Sequence, residues 1–304
     1  MFCYILRGTP LRPAGNSTSS RALPVSFSKK YHLSVLILTL NEEENLPACL
    51  ASVANWADIV VLDSGSTDRT VALARAAGAR VFTNPFVDFA TQRNHAHTHI
   101  NFHTPWVFHL DADEIMTPAL AAECAALDTS LPLDGYYVAP HMMFHGRWLR
   151  RCTDFPAWQA RCVRAQGFHF IQAGHGQREA PALRLGFLQH NYLHDISIHN
   201  EQEWTTRHCR YAVAEATQFL TDRAPWSQII PQLISGKSLV RRRALKHCSY
   251  YLPGRPHWRF LYQYIFRGGF LDGRGAFRYC RLLARYERLA VNALRSMRNI
   301  AQSV

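Results

Sequence analysis

Trp106-Val107-Phe108-His109-Leu110-Asp111-Ala112-Asp113-Glu114 decides how the rest of the chain is read. Trp106 to Leu110 is an apolar run too short for a helix, so it predicts a buried strand. The strand runs straight into three carboxylates, Asp111, Asp113 and Glu114. Thr117-Pro118 then opens an Ala-rich helix, with Thr as its N-cap and Pro at the first helical position. Carboxylates at the carboxyl end of a strand in an open α/β sheet lie where such sheets bind ligands. Grouping them there is repulsive unless a cation relieves it, and hard cations such as Mg²⁺ take carboxylate oxygens together with substrate phosphates. A D-x-D triplet alone reads equally well as a solvated acidic turn, so the choice rests on the upstream sequence.

Upstream, Leu33 to Thr39 and Asp58 to Leu62 are apolar runs that predict buried strands. The first stops at Asn41-Glu42-Glu43-Glu44-Asn45, followed by a helix through Leu46, Leu50 and Val53. The second stops at Asp63-Ser64-Gly65-Ser66-Thr67-Asp68, followed by a helix from Arg69 to Ala77 with Gly78 at its C-cap. Ala79 to Phe82 predicts a third strand, Asp88 to His99 a helix, and Trp106 to Leu110 the fourth strand. This alternation implies βαβ units and a mostly parallel sheet, an α/β fold. From Asp134 to His194 short Gly-punctuated segments predict antiparallel strands over 135–139, 144–149, 158–163 and 168–171. Beyond Asn200 the pattern is helical, over 201–220 and 229–247 and again from Trp258 and Gly275.

The organisation expected is a leader over residues 1–31 without fixed structure, an α/β domain over 32–198 and a basic helical region over 199–304. With 48% hydrophobic and 18% charged residues in 304, the chain is a globular protein and not a disordered one. Its net charge of +12 is unevenly placed: from Asn200 on there are 18 Lys+Arg against 6 Asp+Glu, whereas the first 199 residues balance. Such an asymmetry predicts a surface for something anionic. The eight cysteines are scattered without a C-x-x-C pair, which favours buried thiols over disulfides or a zinc site. No apolar run is long enough to span a membrane, and the leader lacks the apolar core of a signal peptide.

A parallel sheet brings the loops after Thr39, Leu62 and Leu110 to one edge. No G-x-G-x-x-G or G-x-x-x-x-G-K-[ST] occurs, which disfavours dinucleotide oxidoreductases and P-loop enzymes. Thr39-Leu40-Asn41-Glu42-Glu43, Val60-Val61-Leu62-Asp63-Ser64-Gly65-Ser66-Thr67-Asp68 and Asp111-Ala112-Asp113 together resemble the family 2 glycosyltransferases, inverting enzymes of GT-A fold. Gln92-Arg93-Asn94, the Tyr211, Glu215, Ala216 spacing, Pro253 to Pro256 and Gly268 to Gly273 resemble the lipopolysaccharide core glucosyltransferase-like branch. The resemblance implies a nucleotide-sugar donor, with Asp63 facing the nucleobase and Thr39, Asn41 and Glu43 lining its pocket. It implies Asp113 as ligand to Mg²⁺ or Mn²⁺, with Asp111 beside the ribose or in the metal's shell. Arg93 would neutralise the diphosphate or contact the donor sugar.

An inverting transfer needs a base to take the proton of the acceptor hydroxyl. Family members often show Pro-Asp-x-Gln-x-Arg; here Pro156-Ala157-Trp158-Gln159-Ala160-Arg161 has Ala where that Asp would stand. The candidates left are Asp154, and His175 or Glu179 within Gly174 to Glu179. His95, His97 and His99 sit two apart on a helix, so neighbours in this set point to different faces, and with His103 the set does not converge on one ion. The basic tail interleaves Arg241-Arg242-Arg243 and Lys246 with Tyr, Trp and Phe, which predicts an anionic membrane surface and not nucleic acid. The expected enzyme is a cytoplasmic protein, peripheral on the inner membrane face, acting on a lipopolysaccharide-core or other lipid-linked glycan acceptor. On the residues alone, a nucleotidyltransferase using the same site and a nucleic-acid-binding protein built on the basic tail remain open.

Overall fold

A computed structural model describes residues 31–173, 176–198, 200–221, 225–235 and 238–303. The leader, apart from Tyr31, and His175 lie outside these. Four parallel strands form the centre of the sheet: β1 (Tyr31–Thr39), β2 (Trp56–Asp63), β3 (Arg80–Thr83) and β4 (Trp106–Asp111). β9 (Gln159–Arg164) joins β4 antiparallel, followed by β6 (Gly135–Val138) and β12 (Leu185–Phe187), giving the order β12-β6-β9-β4-β1-β2-β3. The mostly parallel α/β sheet expected from the strand and helix pattern is present.

β1 is apolar on both sides because both faces of the sheet are covered. Val35 and Ile37 pack with α1 (Leu46–Ser52), α2 (Thr70–Ala76) and α4 (Pro118–Ala125), while Leu36 and Leu38 pack against α3 (Phe89–His99). The helix boundaries follow local chemistry. Asp88 caps α3 by accepting from the Thr91 amide at 2.7 Å, and Thr117 caps α4 by accepting from the Leu120 amide at 3.2 Å. Gly78 after α2 has φ +79°, the left-handed C-cap that its position predicts.

Three short-strand features depart from the expectation. The run 144–149 is not one strand but a hairpin of β7 (His141–Phe144) and β8 (Arg147–Trp148). Its two turn residues, His145 and Gly146, have φ +49° and +74°, the primed turn that matches strand twist. β5 (Glu114–Ile115) follows the acidic triplet directly and pairs with β13 (Leu193–Asp195), which continues to β7 in a four-stranded sheet. β10 (Phe170–Ala173) and β11 (Gly176–Glu179) form a separate hairpin.

The segment beyond Asn200 is helical: α5 (Glu201–Thr221), α6 (Trp226–Leu233), α7 (Ser238–Ser249), α8 (Arg255–Leu261) and α9 (Arg274–Ser303). The single helix expected over 229–247 is two helices, one ending at Leu233 and the next starting at Ser238; Pro231 removes an amide donor near the end of the first. A π turn (Tyr262–Phe266) and a 3-10 turn (Gly269–Asp272) link α8 to α9. Glu215 on α5 accepts hydrogen bonds from the Tyr250 and Tyr286 hydroxyls, and Arg255, itself 2.8 Å from Glu287, lies over the Tyr250 ring. Phe144, Leu149 and Cys152 pack with Ala276 and Cys280, joining the hairpin to α9. Among the described residues the cysteines are free, and no helix is long and apolar enough to cross a membrane.

Candidate active site

Register places Thr39 beside Asp63 at the ends of β1 and β2, so the loops that follow lie side by side. The Asn41 amide donates to Ser66 Oγ at 2.8 Å, and Asn41 Oδ1 accepts from the Thr67 amide at 2.8 Å. Asn41 has φ +55°, a left-handed conformation that Asn tolerates better than most residues. Glu43 accepts from the Arg69 amide, and its own amide donates to Asp68. Asp63 is buried beneath this lacing. Its Oδ1 accepts from the Thr39 and Ser66 hydroxyls at 2.8 and 2.5 Å, its Oδ2 from the Gly65 and Ser66 amides at 2.9 and 2.8 Å. Burial alone would raise its pKa, but these donors, Ser66 foremost, hold it below the ordinary carboxylate value. A carboxylate has about four acceptor positions, and the chain fills them. In this structure Asp63 shapes the loop through these donors, and Thr39, also buried, is one of them.

The acidic motif is sorted by what its three carboxylates meet. Asp111 Oδ1 accepts from Arg93 Nη2 at 2.7 Å and Oδ2 from Arg161 Nη2 at 3.2 Å. Burial opposes ionisation of Asp111, but Arg161 and Arg93 hold its carboxyl far below the usual range. Glu114 is fully buried, accepts from Arg161 Nη2 at 2.7 Å and from the Asp111 amide at 2.8 Å, and is pushed up by burial. Each Asp111 oxygen thus faces one guanidinium, and Arg93, itself buried, is its counter-ion in this structure.

Asp113 is the carboxylate left facing outward, and β13 brings it a partner. The antiparallel β5–β13 register sets His194 beside Glu114. His194 Nε2 lies 3.5 Å from Asp113 Oδ2, and its Nδ1 lies 3.6 Å from Glu114 Oε1. Burial would lower the His194 pKa, but Asp113, Glu114 and Asp111 raise it to about 9. The imidazole thus carries a proton at neutral pH, a positive charge among carboxylates.

A cavity of about 1880 Å³ lies between the acidic edge of the sheet and the helices beyond Asn200. Asn41, Glu43, Asp113, Asp154 and Glu179 line it, as do His194, Trp258 and Tyr262; Thr39, Asp63, Arg93 and Asp111 do not. Asp154 is exposed in it and has no hydrogen-bond or ion-pair partner among the described residues. Glu179 accepts a 2.5 Å hydrogen bond from the Tyr137 hydroxyl. Arg161 and His194 were not foreseen as site residues. Arg161 could have been found from the alternation of β9, which puts Gln159 and Arg161 on one face; no local signal marks His194.

The family model described as Glycosyl transferase family 2 matches residues 34–174. An uncharacterized glycosyltransferase of Mycobacterium bovis, Mb0553, is 32% identical over 159 residues, 51% of this chain and 71% of that protein. The chain is a family 2 glycosyltransferase. The lipopolysaccharide core biosynthesis glycosyltransferase LpsC of Rhizobium meliloti is 41% identical over 96 residues, 30% of the transferase and 35% of LpsC. The match to LpsC and to an uncharacterized Rickettsia bellii glycosyltransferase spans about a third of each relative's length, 35% in both. Among solved structures, S. aureus TarS 1–349 in complex with UDP-GlcNAc has a TM-score of 0.41 at 13% identity, covering 84% of the transferase and 91% of that chain. The parallel sheet with acidic motifs gathered at its carboxyl edge is the GT-A architecture that the sequence implied.

Proposed function

We propose that the transferase moves a sugar, with inversion, from a nucleotide-sugar to a hydroxyl of a lipopolysaccharide-core or other lipid-linked glycan at the inner face of the membrane. One observation carries the reading: Asp113 and His194 open onto the same cavity as the Asn41–Glu43 loop and Asp154. The name of LpsC supports the acceptor class, and the basic last third supports the membrane face.

Asp154 is the base. Its carboxylate takes the proton of the acceptor hydroxyl, the freed oxygen attacks the anomeric carbon, and the bond from that carbon to the nucleotide diphosphate breaks. The departing diphosphate gains negative charge at the acidic edge, where like charge would repel it. Asp113 and His194 fit a divalent cation, Mg²⁺ or Mn²⁺: an outward carboxylate oxygen and an imidazole nitrogen stand 3.5 Å apart, where the protonated imidazole now supplies the positive charge. Such an ion would take its remaining positions from phosphate oxygens and water. When bound, the ion supplies charge neutralisation for the leaving group. Glu114 lies on the far side of the imidazole, 3.6 Å from its Nδ1, and adds negative charge there.

The test is a screen of UDP-, GDP- and TDP-sugars for slow Mn²⁺-dependent donor hydrolysis, repeated with Asp113→Ala. One sugar nucleotide should be cleaved by the wild type and not by the variant. Hydrolysis of none, or equal hydrolysis by both proteins, overturns the assignment.

A further inference from the structure

We propose that the exposed apolar face between Trp258 and Leu271 seats the transferase on an anionic lipid bilayer, with the acceptor cavity opening beside it. The inference rests on the lipid-linked acceptor proposed above and adds the surface that meets the lipid. Phe266 is 75% exposed, Trp258 55%, Leu271 54% and Phe270 50%, with Tyr262 and Ile265 close behind. Soluble surfaces seldom gather so many large apolar side chains in one place, and where they do an interaction site is the usual reason.

The segment beneath the patch is tied to the sheet domain by hydrogen bonds and close packing. Arg267 donates to the carbonyls of Arg151 and Thr153 at 3.2 and 2.8 Å. Buried Asp272 accepts the amides of Arg151 and Cys152 at 2.6 and 3.1 Å. At Gly269 a Cβ would stand 2.6 Å from the Gln263 carbonyl oxygen and 2.8 Å from Cys152 Cβ, so the turn sits hard against the domain. Polar anchors at the base and aromatic side chains at the tip describe a wedge and not a loose loop.

Charge selects the occupant. Arg147, Arg151, Arg274 and Arg281 are exposed around the patch. Arg147 lies against Gly273, Arg151 against Gly268, and the Arg281 guanidinium lies 5.8 Å from the Phe277 ring centroid. The one carboxylate between 258 and 281, Asp272, is turned inward as an anchor. An apolar centre in a cationic rim matches acyl chains beneath anionic headgroups, with aromatics at the boundary. A second copy of this face would bring arginine to arginine, and a nucleic acid would have no use for the apolar centre. Trp258 and Tyr262 belong to both the patch and the cavity wall, so the patch continues into the cavity.

The experiment is sedimentation of the full chain with phosphatidylcholine vesicles, with and without phosphatidylglycerol. It compares wild type, Ile265→Ser/Phe266→Ser/Phe270→Ser/Leu271→Ser, and Arg241→Gln/Arg242→Gln/Arg243→Gln/Lys246→Gln. None of the four apolar residues lines the cavity, so donor hydrolysis and the melting temperature should stay at wild-type values. The Ser variant should lose on the order of tenfold or more of its partitioning onto phosphatidylglycerol vesicles, and the Gln variant much less. Undiminished binding of a folded Ser variant overturns the proposal, as does a wild-type dimer that the Ser variant dissolves without any vesicle binding. Failure of donor hydrolysis with vesicle binding intact would instead count against the catalytic reading alone.

Discussion

At the scale of single residues, the site turns on which carboxylates are already spoken for. Asp154 and Glu179 both reach the cavity, but Glu179 holds the Tyr137 hydroxyl whereas Asp154 has no such partner among the described residues. Asp154→Asn should therefore lower kcat for transfer by about 10²–10⁴-fold, the usual contribution of a positioned base, with donor affinity in calorimetry unchanged. Glu179→Gln should cost far less, and the reverse ranking would move the base to β11. Arg161 poses a different question, because it touches no lining of the cavity yet spans Asp111 and Glu114 from a buried position. Removing one partner of a buried ionic cluster costs roughly 3–5 kcal/mol, since the carboxylates are left without their cation. Arg161→Ala should lower the urea midpoint accordingly, and Arg161→Lys should recover only part, lacking the planar fork. A midpoint equal to wild type would show that Arg93 alone satisfies the cluster.

At the scale of elements, the lower end of the parallel sheet is held by Asp58 on β2. It accepts from Ser34 of β1 at 2.8 Å, from Arg80 of β3 through two bonds at 2.9 Å, and from the His103 amide at 3.0 Å. Burial would raise this carboxyl; Arg80 first, then His103 and Ser34, bring it below the ordinary value of 3.8. A carboxyl depressed in the folded state adds stability above its unfolded value and loses it as pH falls through the folded one. Asp63 is depressed in the same direction, so both contribute to acid unfolding. The wild type should lose stability progressively as pH drops below about 4. Asp58→Asn should be less stable at pH 7 and flatter across the acid range in urea melts followed by circular dichroism. An acid slope identical to wild type would place the proton uptake elsewhere.

At the scale of the whole molecule, the helical region is docked on the β7–β8 hairpin and the chain that follows it. Asp272, just before α9, accepts two amides from the chain that follows the hairpin, and Phe144, Leu149 and Cys152 pack against Ala276 and Cys280. Asp272→Ala leaves two buried donors without an acceptor, at roughly 1–3 kcal/mol each when nothing replaces it. The urea midpoint should fall, and donor hydrolysis, which uses the other side of the cavity, should persist in the folded fraction. A midpoint within error of wild type would mean that the apolar cluster alone secures the docking.

The sequence by itself determined the α/β order, the caps Asp88, Thr117 and Gly78, and the gathering of three polar loops at one sheet edge. Those features are local: periodicity, a capping side chain and a glycine at positive φ act within a few residues, and parallel connection then puts strand ends together. The family resemblance was legible for the same reason, being written in short contiguous motifs. What the sequence did not decide was the use of each acidic group. Asp63, Asp111 and Asp113 look alike in the chain, and only packing shows one saturated by loop donors, one clamped by two arginines and one left open beside His194. Arg161 and His194 reach the motif through the β9–β4 and β13–β5 pairings, contacts between distant segments whose register depends on the assembled sheet. A carboxylate's chemistry is set by the donors and charges within a few ångströms of it, and in this protein the tertiary structure supplied them.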